Sequence, residues 1–214
     1  MNRRALLCAT LLAATALASG DGWSAPEEGA ASSAPTLDIE ALLYDPATPV
    51  GGNPKGDVTI VAFFDYNCGY CRTSMADLET LLREDGGIRL VYKDWPILAA
   101  SSVSAAQFAL GAKYQGKYEA AHRALMGLTG RVTDSSIQKA LDTAEIDRAK
   151  LQMDMRANAG EIGALLKRNN RQAEALQLPG TPVYLIGPYK VAAALDLAGF
   201  REVVKDARAR AAEK

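Results

Sequence analysis

Two cysteines separated by two residues are the part of this sequence best suited to covalent chemistry. Cys68 and Cys71 enclose Gly69-Tyr70, directly after an apolar run that predicts a buried strand and at the start of a pattern that predicts a helix. A cysteine at a helix N-terminus lies beside unpaired N–H groups and the positive end of the helix dipole, which stabilise a thiolate. The spacing therefore predicts a redox pair in which Cys68 attacks a disulfide and Cys71 resolves the mixed disulfide.

The same two cysteines also admit uses other than redox exchange. A zinc or iron–sulfur site needs four ligands, whereas the rest of the chain offers one further cysteine, Cys8, and a single histidine, His122. A purely structural disulfide would close a very short loop and would stabilise the fold little. A C-x-x-C motif beside a βαβ pattern is typical of thioredoxin-like redox proteins, and we favour that interpretation.

A second motif, Gly180-Thr181-Pro182, directly precedes an apolar run that predicts a strand over residues 183–186. Proline is tolerated at the first residue of a strand. A cis Thr181–Pro182 bond would offer backbone groups to a substrate strand, whereas a trans bond would only begin the strand. At this point both alternatives stay open.

The elements that must position these motifs predict an α/β fold. Residues 58–64 form a continuous apolar run, typical of a strand buried on both faces. Residues 68–83 have helical periodicity, and residues 88–92 predict a second strand. This succession of strand, helix and strand is a βαβ unit.

The rest of the chain is mainly helical by pattern. Residues 98–176 predict four or five helices, with Ser101 or Ser102, Thr133 or Asp134, and Asp147 as possible N-caps. The remaining predicted elements are a helix within 36–44, a break rich in proline and glycine at 46–54, strands at 183–186 and 190–193, and an amphipathic helix from 197.

Composition excludes several classes of protein. The 214 residues include 24 Lys and Arg against 25 Asp and Glu, a net charge of −1, with no basic block. This charge balance lacks the electrostatic footprint of a nucleic-acid-binding protein. With 49% hydrophobic and 23% charged residues, the chain has the composition of a globular protein.

Residues 1–18 predict a cleaved secretory signal. Arg3 and Arg4 precede the apolar run 5–18, which ends in an Ala-Leu-Ala cleavage pattern and is short for a membrane span. An N-terminal anchor and a lipidated Cys8 are the alternatives. Cleavage would leave two cysteines in an exported, periplasmic protein, where disulfides persist.

Three stretches of the chain resemble the DsbA family of exported thiol–disulfide oxidoreductases. They are DYNCGYC at 65–71, VYKDWPIL at 91–98 and LPGTPVYLIG at 178–187. The run 42–71 most resembles the Com- and ScsC-like branch of that family, and the resemblance covers nearly all of residues 40–212.

This resemblance implies a thioredoxin-like α/β fold with an inserted helical domain. Residues 50–97 and 160–212 would form the thioredoxin-like domain, and residues 98–159 the helical insertion. Residues 19–54 would be an N-terminal leader with a short helix.

The resemblance also assigns roles to individual residues. It implies that Thr181–Pro182 is cis and packs against the cysteines, and that no cofactor is needed beyond the redox-active Cys68–Cys71 disulfide. The catalytic positions would be Cys68, Cys71 and Pro182, and the substrate-binding positions Thr181, Gly69 and Tyr70.

One position departs from the family pattern. Family members often carry an acidic residue six positions before the nucleophile, which helps to move the proton of the resolving thiol, and here that residue is Ala62. Asp65 and Lys93 are the nearby candidates for the same role. We interpret Asp65 as a loop or cap residue and Lys93 as a charge at the end of a strand.

Several other residues admit either a structural or a functional interpretation. A lone histidine in a helix, such as His122, belongs more often to packing or to the surface than to a ligand set. Phe64, Tyr66 and Tyr70 either line a substrate groove or belong to the core.

The expected function is disulfide exchange with substrate proteins, in an undecided direction. Gly69-Tyr70 with Thr181 resembles the combination in isomerase-type members, while an oxidase would donate its disulfide. The expected partners are substrate proteins and a membrane redox protein that reoxidises or reduces the pair, with a possible homo-oligomer through the N-terminal segment. The alternative is a non-enzymatic chaperone or a module that binds Cu(I) through Cys68 and Cys71.

Overall fold

Strand β2 lies at the centre of a five-stranded sheet. The structure, a computed structural model, describes residues 37–213, and in them the strand order is β1-β3-β2-β4-β5. Only β2 and β3 are parallel in this sheet, and the other neighbouring pairs are antiparallel. The strands are β1 (Val50–Gly52), β2 (Val58–Phe64), β3 (Ile88–Asp94), β4 (Val183–Ile186) and β5 (Tyr189–Val191).

Helices cover both faces of this sheet. Helix α2 (Gly69–Glu84) connects β2 to β3, and the helical segment lies between β3 and β4, as the sequence predicts. The other helices are α1 (Ile39–Tyr44), α3 (Ala100–Ala112), a 3-10 turn (Lys113–Gln115), α4 (Tyr118–Met126), α5 (Asp134–Thr143), α6 (Arg148–Ala157), α7 (Ala159–Ala175) and α8 (Leu197–Ala212).

The alternation of side chains along β2 divides the core into two parts. Ile60, Ala62 and Phe64 belong to the larger cluster, which also contains both cysteines and the inner side of α2. Val61 and Phe63 belong to a smaller cluster with residues of α1 and α7. The cysteines and α1 therefore lie on opposite faces of the sheet.

Edge strand β1 corrects the interpretation of the stretch 46–54 as a simple break in the chain. Val50–Gly52 pairs antiparallel with β3. At Gly52, φ is +66°, and the carbonyl oxygen of Ile88 lies 2.5 Å from where a Cβ would be. Glycine thus lets the chain leave β1 close to β3, and turns lie on both sides of this short strand.

The helix caps agree with the sequence at two of three places. Thr133 caps α5 in a capping box with Ser136, and Asp147 caps α6. The prediction for α3 is wrong, because its N-cap is Ala99, without a side-chain hydrogen bond. The predicted capping serines, Ser101 and Ser102, instead hydrogen bond to residues beside the cysteine motif.

The predicted signal at 1–18, Cys8 and half of the predicted leader, residues 19–36, lie outside the described residues 37–213. Within those residues, no helix has the length and apolar character needed to span a bilayer. The boundary at 159/160 between helical insertion and thioredoxin-like domain stays a prediction, and α7 begins at Ala159.

Candidate active site

Cys68 is the N-cap of α2, and Cys71 lies in the first turn of the same helix. The Cys68 Sγ accepts a hydrogen bond from the backbone N–H of Cys71 at 3.3 Å. Cys68 is 6% exposed and Cys71 is fully buried, so Cys68 is the more accessible of the two sulfurs. Tyr70, between them, is 74% exposed.

The second motif lies directly against this helix start. The Thr181–Pro182 peptide bond is cis. The Cys68 Sγ–H donates a hydrogen bond to the carbonyl oxygen of Thr181 at 3.2 Å, although 113 positions separate the two residues in sequence. A groove of about 440 Å³ adjoins this contact. It is lined by Tyr70, by residues 179–183 and by Ala192, Ala193 and Ala194.

The surroundings of the two sulfurs push their pKa values apart. Hydrogen bonding from the Cys71 thiol is the main cause that lowers the pKa of Cys68 to about 6, despite partial burial. The Thr181 side chain and the backbone N–H groups of Tyr70 and Cys71 lower it further. Burial, followed by the hydrogen bond to Cys68, raises the pKa of Cys71 above its usual value. At neutral pH this arrangement holds one thiolate and one thiol.

The titration of Cys68 tests this arrangement. In the reduced protein, we expect thiolate absorbance to appear with a midpoint near pH 6. Cys71→Ala removes the strongest hydrogen bond to the sulfur, so we expect the midpoint to rise by about one to two pH units, whereas Cys71→Ser keeps a donor and shifts it less. A midpoint at or above ~8.5, the value of a free cysteine, would contradict the assignment of Cys68.

Two buried hydroxyl groups, on Ser74 and Tyr184, connect α2 to β4. Ser74, one turn after Cys71, donates from its hydroxyl to the carbonyl oxygen of Leu195 at 2.8 Å and accepts from the Tyr184 hydroxyl at 2.9 Å. Burial raises the pKa of Tyr184, and the nearby cysteine charges raise it further. No local sequence pattern predicts this pair, because its members are 110 positions apart.

Asp65 and Asn67 tie the cysteine motif to the helical segment. The Asp65 carboxylate accepts hydrogen bonds from the Asn67, Ile97 and Leu98 N–H groups and from the Ser102 hydroxyl. The Asn67 side chain donates to the Ser102 hydroxyl and accepts from the Val132 N–H. The interpretation of Asp65 as a loop residue is confirmed. Its two carboxylate oxygens are fully occupied, so it is positioned to hold the loop.

Lys93 lies away from the cysteines, and its interpretation as a simple strand-end charge is wrong. It is fully buried, and its parallel neighbour on β2 is Phe63, which faces the smaller cluster. Burial lowers the pKa of Lys93 to about 8, while the charge of Asp45 opposes that shift. Ala62 faces the cysteine side and is fully buried between Tyr92 and Tyr184 of the neighbouring strands.

The aromatic residues before the motif divide between core and surface. Phe64 and Tyr66 are buried, and only Tyr70 among the three predicted positions lines the groove. The prediction that His122 serves packing is confirmed. It is 1% exposed, stacks on Tyr118, and hydrogen bonds through Nδ1 to the Tyr66 hydroxyl at 3.0 Å.

Asp94 is a buried carboxyl that the sequence analysis did not single out. It lies at the end of β3 on the cysteine face and accepts a hydrogen bond from the Tyr118 hydroxyl at 2.7 Å. Burial raises its pKa to about 7, and burial lowers the pKa of His122 to about 3. Asp94 is therefore largely protonated below about pH 7, and His122 is largely neutral above about pH 3.

In residues 37–213, no three His, Cys, Asp or Glu side chains are grouped so as to hold a metal ion. The site instead consists of two sulfurs, a cis-proline segment and an open groove.

Comparison with known families and structures agrees with this geometry. The family described as thioredoxin matches residues 45–206. A thioredoxin-like oxidoreductase from Silicibacter pomeroyi DSS-3 is 40% identical, with a TM-score of 0.76, over 81% of this chain and 99% of the other. The thiol-disulfide exchange protein alpha-DsbA2 from Wolbachia pipientis is 29% identical, with a TM-score of 0.74, over 78% and 91%. The catalytic domain of Proteus mirabilis ScsC is 26% identical, with a TM-score of 0.72, over 80% and 94%.

Curated relatives include much longer proteins. A segment covering 71% of this chain is 23% identical over 159 residues to the Na(+)/H(+) antiporter NhaA 1 of Mycobacterium sp. strain KMS. The match covers 26% of that antiporter, so the chain spans about a quarter of the length of the curated relatives it matches.

Proposed function

The chain belongs to the thioredoxin family and is a DsbA- and ScsC-type thiol–disulfide oxidoreductase, and from that premise we propose that it exchanges disulfides with substrate proteins through Cys68 and Cys71. The observation that carries this proposal is the position of the Cys68 Sγ, which lies at a helix start and 3.2 Å from the Thr181 carbonyl oxygen. Cys68 is the attacking sulfur and Cys71 the resolving sulfur.

The substrate is held beside Cys68 by the cis-proline segment. A substrate strand that enters the groove pairs its backbone with the residues around Pro182 and packs on Tyr70, as strand addition commonly binds peptides. Thr181 and Gly69 border the reacting sulfur. The buried Thr181 hydroxyl has no hydrogen-bond partner among residues 37–213 in the thiol form, so it is placed to donate to the thiolate when Cys68 ionises.

The chemistry is two successive exchanges. A substrate thiolate attacks Cys68 in the Cys68–Cys71 disulfide, the S–S bond breaks, and Cys71 leaves with the electron pair and takes a proton. A second substrate thiolate then attacks the substrate sulfur of the mixed disulfide and releases Cys68 as a thiolate. Two substrate thiols are thereby oxidised to a disulfide, and the cysteine pair gains two electrons. In the reverse direction, Cys68 attacks a substrate disulfide and Cys71 resolves the intermediate.

The direction we propose is disulfide donation. A low pKa at Cys68 makes it a good leaving group and stabilises the reduced protein, which raises its tendency to oxidise others. An isomerase is the second candidate, favoured by the pairing of Gly69-Tyr70 with Thr181. We further propose that the protein works in the periplasm after cleavage of residues 1–18, and that a membrane redox protein recycles the pair. An oligomer through residues 19–54 stays a prediction.

Two ribonuclease substrates separate these directions. We expect the oxidised protein to restore activity to reduced ribonuclease quickly, and the reduced protein to rescue scrambled ribonuclease slowly. Equilibration with glutathione then gives the reduction potential, in which about 30 mV corresponds to a tenfold change in equilibrium constant. Rapid rescue of scrambled ribonuclease alone would favour the isomerase. Failure with both substrates, together with Cu(I) binding that blocks the thiols, would favour the copper-binding alternative.

A further inference from the structure

A second pocket, separate from the cis-proline groove, lies beside Cys68. It has a volume of about 470 Å³ and includes both chain neighbours of the nucleophile, Asn67 and Gly69. Its remaining lining residues are Arg72, Leu98, Ala99, Gly130 and Arg131. The groove beside Pro182 shares no lining residue with it. A substrate bound at the Cys68 sulfur can therefore contact two separate surfaces.

Two arginines give this second pocket a positive character. Arg72 donates to the carbonyl oxygens of Tyr66 and Gly130, which fixes its guanidinium at the pocket wall and leaves part of its donor set unused. Arg131 is exposed and makes no hydrogen bond within residues 37–213. No Asp or Glu among those residues forms an ion pair with either arginine. The pocket also opens at the start of α2, where the helix dipole favours an anion.

We propose that this pocket selects substrates that carry an Asp or Glu side chain a few residues from the reacting cysteine. That side chain lies in the part of the substrate chain that extends away from Thr181–Pro182. The proposal rests on the proposed disulfide exchange and adds a preference among its substrates. The two guanidinium groups supply the positive charge and the N–H donors that a carboxylate requires. The exposed side chain of Leu98 offers an apolar edge along which the methylene groups of the substrate residue pack.

The test uses pairs of matched dithiol peptides and the full chain with both cysteines intact. Each pair carries Glu or Gln three residues from the reacting cysteine, on its N-terminal side in one pair and on its C-terminal side in the other. On one of the two sides, we expect the oxidised protein to oxidise the Glu peptide about threefold faster at low salt, as an exposed ion pair allows. Molar salt should remove the preference.

Arg131 variants connect the preference to the pocket. Arg131→Gln should lower the Glu/Gln rate ratio, because only Arg72 then supplies positive charge to the pocket, and Arg131→Glu should lower the ratio further. Arg156→Gln is the matched control, because Arg156 is also an exposed arginine but lies on α6 and lines neither surface. Dividing the Glu/Gln ratio of the parent by that of the variant cancels the intrinsic effect of Glu on the reactivity of the peptide thiol, because both proteins react with the same two peptides.

The outcomes distinguish this proposal from the function on which it rests. If the parent and Arg131→Gln show the same Glu/Gln ratio for both peptide pairs, the charge selection is overturned, although exchange itself proceeds. If neither peptide is oxidised at all, it is the proposed exchange function that fails.

Discussion

Replacing Cys68 by serine is expected to lower the rate of disulfide exchange by roughly a thousandfold or more, because a hydroxyl at this position cannot form the mixed disulfide. Cys71→Ser should behave differently. Its Cys68 still attacks substrate disulfides, but no second thiol releases the product, so mixed disulfides accumulate. Non-reducing electrophoresis after reaction with a disulfide-bonded substrate measures the trapped complexes.

The matched pair of variants makes this result specific. Both substitutions remove one sulfur from the same helix turn, and both leave a side chain of similar size. A general loss of structure would affect the two alike, whereas the proposed division of roles predicts trapped complexes with Cys71→Ser and few with Cys68→Ser. Equal trapping by both variants would show that the roles are assigned wrongly.

Local sequence patterns predicted where the two cysteines lie, because their position depends on local structure. The apolar run of β2 and the helical periodicity after it place Cys68 at a helix start without any knowledge of the tertiary fold. Edge strand β1 could not be predicted from local sequence patterns. It consists of three residues, Val50–Gly52, two of them glycine, and it exists only because β3 offers a free edge to pair with.

The partners of the resolving cysteine depend on tertiary contacts that no local pattern encodes. Lys93 is one of the two residues that the sequence offers for moving the proton of Cys71, yet strand alternation directs its side chain to the opposite face of the sheet. The carboxylate of Asp65 already accepts hydrogen bonds at both oxygens. The hydroxyls of Ser74 and Tyr184 lie instead on the cysteine side, brought there by the pairing of β4 with β2.

The buried carboxyl and imidazole beneath the helical segment are a second feature that sequence could not reveal. Asp94 and His122 come from β3 and α4, and Tyr66 and Tyr118 connect them to the same aromatic cluster. Nδ1 of His122 is hydrogen bonded, whereas its Nε2 and one carboxylate oxygen of Asp94 have no partner among the described residues. Both side chains thus keep polar atoms buried at some cost to stability.

These two groups should have opposite effects on the pH dependence of stability. The pKa of Asp94 is raised to about 7, so between about pH 4 and 7 the folded state holds a proton that the unfolded state has lost. Its contribution therefore makes the protein less stable as pH rises through this range. The pKa of His122 is lowered to about 3, so the unfolded state holds the extra proton between about pH 3 and 6.5, and its contribution rises with pH.

Between about pH 4 and 6.5 the two contributions should cancel in the parent protein, and single substitutions should expose each of them. Relative to the parent, the free energy of unfolding of Asp94→Asn should increase by about 1.4 kcal/mol per pH unit across this range, about 3 kcal/mol in total. That of His122→Phe should decrease with the same slope, and the double variant should again run parallel to the parent. Urea unfolding at several pH values measures these slopes. His122→Phe also leaves the Tyr66 hydroxyl without its partner, which lowers the free energy of unfolding by the same amount at every pH and does not change the slope. If both single variants run parallel to the parent, then Asp94 and His122 keep ordinary pKa values in the folded protein, and burial does not hold them uncharged.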